Sequence, residues 1–109
     1  MFGLKQSHID AICACFAKFP AIHEVIIYGS RAKGNYKIGS DIDLTIIDDH
    51  LSSSDLLYIE NAIDDLMLPY KFDLSLKRKL SNPDLIEHIN RVGKIFYQKR
   101  TEKQIIIHN

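Results

Sequence analysis

Between Val25 and Ile47 the chain reads VIIYGSRAKGNYKIGSDIDLTII. Two β-branched segments flank a glycine-punctuated stretch that ends on a pair of aspartates, and any fold for this chain must accommodate that stretch. Val25, Ile26 and Ile27 suit a buried strand. Gly29 ends it, and Ser30 is placed to cap a short helix through Arg31, Ala32 and Lys33. Gly34, Asn35 and Gly39 supply turn chemistry. A second strand opens at Asp41-Ile42-Asp43.

Residues two apart on a strand face the same side. Asp41, Asp43 and Thr45 are therefore expected on one face, and Ile42, Leu44 and Ile46 on the core face. At ~5 Å and an effective dielectric of ~20, two such carboxylates repel by about 3 kcal/mol. A chain that only had to fold has little reason to accept that cost. A divalent cation reverses its sign, and an all-oxygen donor set completed by phosphate oxygens suits Mg²⁺. Upstream, a Gly-Ser turn at a helix start offers backbone N–H groups, a hydroxyl and a positive dipole end to phosphate. Gly29 lets a phosphate approach the backbone, and Arg31 and Lys33 are candidate cations for it.

The rest of the chain bounds this reading. With 109 residues there is room for one small domain, and 46% hydrophobic with 26% charged residues is ordinary globular composition. A formal net charge of zero argues against broad nucleic-acid binding. No apolar run approaches a membrane span, and MFGLKQSHID is interrupted by polar residues where a signal peptide would be apolar. A cytoplasmic protein is expected. Cys13 and Cys15, two apart on a predicted helix, are poorly placed to share a metal or a disulfide. The histidines lack metal-ligand spacing.

Helical periodicity predicts a helix over about 6–18, capped by Ser7, with Ile9, Ile12, Cys13 and Phe16 as its core stripe. Strands are predicted over 23–28 and 42–48. Ser52 to Asp55 resembles a capping box that opens a helix over 53–67, with Leu56, Ile59, Ile63, Leu66 and Met67 inward. Lys71 to Leu76 reads as a third strand in which Phe72, Leu74 and Leu76 alternate with Asp73 and Ser75, so Asp73 joins the face of the other two acids. The basic run Lys77, Arg78 and Lys79 follows. Asn82-Pro83 opens a last helix with Leu85, Ile86, Ile89 and Val92 as its stripe, Gly93 ends it, and Lys94 to Gln98 is a candidate fourth strand. The expected architecture is α/β (α+β): a small mixed sheet of three to four strands with helices on one face. Residues 1–98 form the domain, and 99–109 a tail whose Ile105, Ile106 and Ile107 lie outside any evident core.

A P-loop is excluded: Gly29 and Gly34 have its glycine spacing, but Asn35 and Tyr36 stand where it needs Lys and Ser or Thr. The Rossmann G-x-G-x-x-G is absent. What does match is Gly29-Ser30, ten residues from Arg31 to Ser40, then Asp41-Ile42-Asp43. This resembles the G-S-x10-D-x-D signature of the DNA polymerase β-like nucleotidyltransferase superfamily. GSRAKG followed by SDIDL looks more narrowly like its minimal nucleotidyltransferase (MNT) members. The resemblance implies a polymerase β-like palm fold. It implies that Gly29 and Ser30 hold the β- and γ-phosphates, that Asp41 and Asp43 bind two Mg²⁺ ions, and that Asp73 binds one of them and assists deprotonation of the attacking hydroxyl. The reaction implied is in-line attack on the α-phosphate of ATP or another NTP. Larger members carry a helical domain as the second wall for base and acceptor, and too few residues follow the last predicted strand here to build one. MNT proteins pair with small helical HEPN proteins as antitoxin and toxin, and can transfer AMP to a partner tyrosine. The expectation is thus an AMP-transferring antitoxin in a hetero-oligomer. The alternatives are an antitoxin acting by binding alone, and a small-molecule transferase of the aminoglycoside-modifying type.

Overall fold

A computed structural model describes residues 1–100. The elements run α1 (Gln6–Ala17), β1 (Ile22–Tyr28), α2 (Gly29–Lys33), β2 (Ile42–Asp48), α3 (Ser53–Asp64), β3 (Phe72–Leu76), a 3-10 turn (Lys77–Lys79), α4 (Pro83–Val92) and β4 (Lys94–Gln98). The four strands form one mixed sheet in the order β3-β2-β1-β4. The β1/β2 and β1/β4 pairs are antiparallel, and β2/β3 is parallel. A parallel pair needs a crossover, and α3 supplies it between β2 and β3. The predicted α/β class, sheet and fourth strand are therefore present.

Alternation decides the faces. Val25 and Ile27 of β1, Ile42, Leu44 and Ile46 of β2, and Leu74 and Leu76 of β3 are buried on one side. They join Ile12, Cys15 and Phe16 of α1 and Ile59 and Ile63 of α3 in a single core. The other side carries Ile26, Tyr28, Asp43, Thr45, Asp73 and Ser75. Helix α4 departs from the expectation of helices on one face. It closes against β1 on this second side, so tightly that a Cβ on Gly93 would meet the Ile26 side chain and the Ile89 carbonyl. Gly93 is extended (φ −63°) rather than left-handed, so lack of space explains this glycine better than backbone conformation does.

Local chemistry explains most boundaries. Ser52 and Asp55 form the reciprocal capping box at α3. The Asn82 side chain accepts from the Asp84 and Leu85 amides, with Pro83 in the first turn of α4. Three expectations are corrected. Helix α1 begins at Gln6 after Lys5 with no side-chain cap, which puts Ser7 inside the helix. Cys15 is more buried than Cys13, and both thiols are free. Helix α3 stops at Asp64, and Met67, with φ 57° and mostly exposed, lies beyond the apolar stripe. Among the described residues no helix is long and apolar enough to cross a membrane. The Ile105 to Ile107 segment lies outside the described residues.

Candidate functional site

The site forms where β1 ends and β2 and β3 begin. Asp43 and Asp73 are direct partners in the parallel β2/β3 pair, so their side chains share a face one strand spacing apart, about 4.8 Å. Tyr28, the last residue of β1, is the partner of Asp43 on the other side. Asp41 stands just before β2, exposed, at the end of the loop that returns from α2. Asp73 is exposed while Leu74 and Leu76 are buried, so it points away from the core as the alternation requires.

Asp43 senses the other two acids. Asp43 has its pKa raised, first by partial burial, then by the charge of Asp73 and that of Asp41, with His88 pulling the other way. The Tyr28 phenol is pushed up by burial and by Asp73 and Asp43, and the Ser75 hydroxyl partly offsets this. Ser75 also donates to the fully buried Thr45 hydroxyl at 2.9 Å, which satisfies Thr45 within the sheet. Among the described residues no group of three or more His, Cys, Asp or Glu side chains makes a ready cage for a metal.

The glycine turn packs directly on the acids. Gly29 has φ +73°, and a Cβ built there would collide with the Asp43 carboxylate. The position excludes a side chain both by conformation and by space. Ser30 is not the cap of α2: that helix starts at Gly29 after an extended Tyr28, and Ser30 lies within it, half-buried. Gly34 ends α2 in the left-handed conformation, its amide on the Ser30 carbonyl at 2.9 Å.

The two expected cations go different ways. Lys33 is exposed at the end of α2. Arg31 is 5% exposed and turned inward. Its Nε and Nη2 donate to the Ser40 carbonyl at 3.0 and 2.9 Å, and its Nη1 to the Phe2 carbonyl at 3.0 Å. The Tyr36 and Tyr70 rings lie 5.4 and 5.7 Å from its guanidinium. A buried guanidinium needs its donors satisfied, and here backbone carbonyls satisfy them. Arg31 is therefore a strut that ties the N-terminal segment to the residue before Asp41, rather than the free phosphate cation expected from the sequence.

Two residues at the site were not picked out from the sequence. Tyr28 follows the run Val25 to Ile27 and alternates with Ile27 onto the acidic face, where it is buried. His88 of α4 accepts the Gly29 amide through Nε2 at 3.2 Å and meets the Tyr28 ring edge-on, centroids 6.2 Å apart. A signal existed: His88 is three residues after Leu85 and four before Val92, on the stripe that faces the sheet.

The family model for polymerase beta, nucleotidyltransferase, matches residues 10–102. Among solved structures, a chain of a toxin–antitoxin complex with AMP-PNP superposes with TM-score 0.69 at 18% identity, over 92% of this chain and 86% of that one. A chain of the complex between tri-AMPylated Shewanella oneidensis HEPN toxin and MNT antitoxin gives 0.65 at 17% identity, over 96% and 87%. A putative nucleotidyltransferase from Sulfolobus solfataricus gives 0.51 at 19% identity, over 89% and 92%. At these identities the likeness is one of fold. No curated protein matches the chain in sequence.

Proposed function

The chain belongs to the polymerase beta nucleotidyltransferase family, and from that premise we propose that it transfers AMP from ATP to a hydroxyl of a partner protein, as the antitoxin of a HEPN/MNT pair. The observation that carries this reading is the in-register pair Asp43 and Asp73, with Asp41 beside it, packed against the turn at Gly29.

The residues fit Mg²⁺. The donors are all hard oxygens, they burden one another with like charge, and Mg²⁺ is commonly held by one or two carboxylates, with phosphate oxygens and water completing the shell. Asp41 and Asp43 would hold two ions, with Asp73 on one of them. Bound there, the ions would neutralise phosphate charge and ease deprotonation of the attacking hydroxyl.

The chain's own groups do the remaining work. Gly29 and Ser30 present the turn to the β- and γ-phosphates, and exposed Lys33 is free to add charge. Arg31 holds Ser40, and so fixes where Asp41 begins. The acceptor oxygen bonds to the α-phosphorus, the bond from that phosphorus to the bridging oxygen of the β-phosphate breaks, and pyrophosphate leaves. The hydroxyl proton passes to Asp73.

A partner suits this site because, among the described residues, α4 is the one helix packed on the acidic face of the sheet, and a partner chain would supply walls for base and acceptor. Both toxin–antitoxin neighbours come from complexes, one of them with a tri-AMPylated toxin. The protein incubated with labelled ATP, Mg²⁺ and its co-encoded helical protein should move label onto that protein. Absence of transfer across several NTPs and partners overturns the reading. A second reading, neutralisation by contact alone, draws on Leu57 and Tyr58 of α3, which are 57% and 71% exposed and line a groove with Ser54 and Asn61. Undiminished neutralisation by the Asp41→Ala, Asp43→Ala double variant would select it.

A further inference from the structure

The Gly29 amide, which the proposed function assigns to phosphate, is already spoken for by a side chain on a different element. It donates to His88 Nε2 at 3.2 Å. A ring nitrogen that accepts an N–H carries a lone pair, so in neutral His88 the ring proton sits on Nδ1. The ring is held edge-on against Tyr28, the strand partner of Asp43. With Arg31 turned onto the Ser40 and Phe2 carbonyls, His88 is, among the described residues, the side chain from another element that bonds to the Gly29 amide.

Phosphate oxygens only accept hydrogen bonds. A triphosphate seated on the turn would take the Gly29 amide for itself and would face the imidazole lone pair. The favourable outcome is rotation of the ring so that its N–H points at the phosphate.

Resting on the transferase reading above, we propose that His88 is a nucleotide-positioning residue. Its imidazole keeps the Gly29 amide oriented and satisfied, then yields that amide to the incoming triphosphate and donates its own N–H to a phosphate oxygen. Helix α4 thereby becomes the second wall of the phosphate pocket, built by this chain, while the base and acceptor walls remain for a partner.

The test follows the Gly29 amide by ¹H–¹⁵N NMR in the full chain, with Mg²⁺ and AMP-PNP as the probe. Addition of the probe should shift the Gly29 amide and the His88 ring resonances together. In His88→Ala the Gly29 amide should start from a different position without the probe, and the probe should bind about 3- to 10-fold more weakly, the loss of one hydrogen bond. His88→Gln should recover most of the affinity, because its amide can accept from Gly29 and donate to phosphate. Unchanged thermal melting of both variants would separate this effect from unfolding.

Unchanged or tighter probe binding by His88→Ala, or an equal loss in His88→Gln, overturns the proposal. If binding depends on Asp41 and Asp43 but ignores His88, the transferase reading stands and this inference alone falls. If the wild-type chain binds no Mg²⁺–AMP-PNP, both fall.

Discussion

Strand β2 carries an aspartate near each end, and the two sit in opposite electrostatic surroundings. Asp48, at the end of the strand, has its side chain 1% exposed. Its Oδ2 accepts from the Leu51 amide at 2.8 Å and from Arg78 Nε at 3.0 Å, and Arg78 reaches on to the Leu51 carbonyl. Asp43, at the start, is half-buried beside Asp73 and Asp41, and its charge is disfavoured. One acid closes a turn with a cation and an amide. The other lies among like charges, beside a glycine on which a Cβ would meet its carboxylate. Residue type and strand are the same, so what separates the structural carboxylate from the one proposed to be functional is its set of partners. A carboxylate kept against repulsion is the one that points to a site.

That contrast can be broken in order of expected effect. Asp43→Asn should lower transfer by at least about 100-fold, since even outer-shell changes at metal sites commonly cost 10- to 100-fold. A steady-state assay with the partner measures this, and near-normal transfer would place Asp43 outside the chemistry. Asp48→Ala should instead destabilise the fold by about 1–2 kcal/mol, because it leaves the Leu51 amide without its acceptor and removes the ion pair to solvent-exposed Arg78. Urea unfolding reads that loss, and transfer per folded molecule should hold. The smallest effect sharpens the difference. With its pKa raised in the fold, Asp43 contributes stability fully below its unfolded pKa, and that contribution is lost as pH rises through the raised value. Asp43→Asn should therefore melt with wild type in acid and slightly above it at neutral pH. Solvent screening keeps the gap within about 3 °C. A variant that melts below wild type at neutral pH would contradict the repulsion.

The same division runs through what could be read from the sequence. Features governed by neighbours within four residues were legible. These include the capping box at Ser52, the Asn82-Pro83 start of α4, the left-handed glycines at 34 and 39, and the bounds of β2. Strand alternation alone put Asp73 on the face of Asp43. Sequence misplaced the caps of α1 and α2, where Lys5 and Tyr28 precede the helices without a side-chain bond and backbone context decides the boundary.

Arg31 shows the limit most clearly. Beside a glycine turn it looks like a phosphate ligand, but its bonds run to Phe2 and Ser40, the first far away in sequence, and no local pattern encodes that. His88 is the converse: its helical spacing marks it only as facing the sheet, and the packing of α4 on β1 is what carries it to the Gly29 amide. The sequence by itself determined the strands, the signature and the side of the sheet on which the acids lie, because periodicity and turn chemistry are local. Only the tertiary structure decided which charges meet, because an ion pair or a hydrogen bond depends on distance in space, and distance along the chain does not predict it.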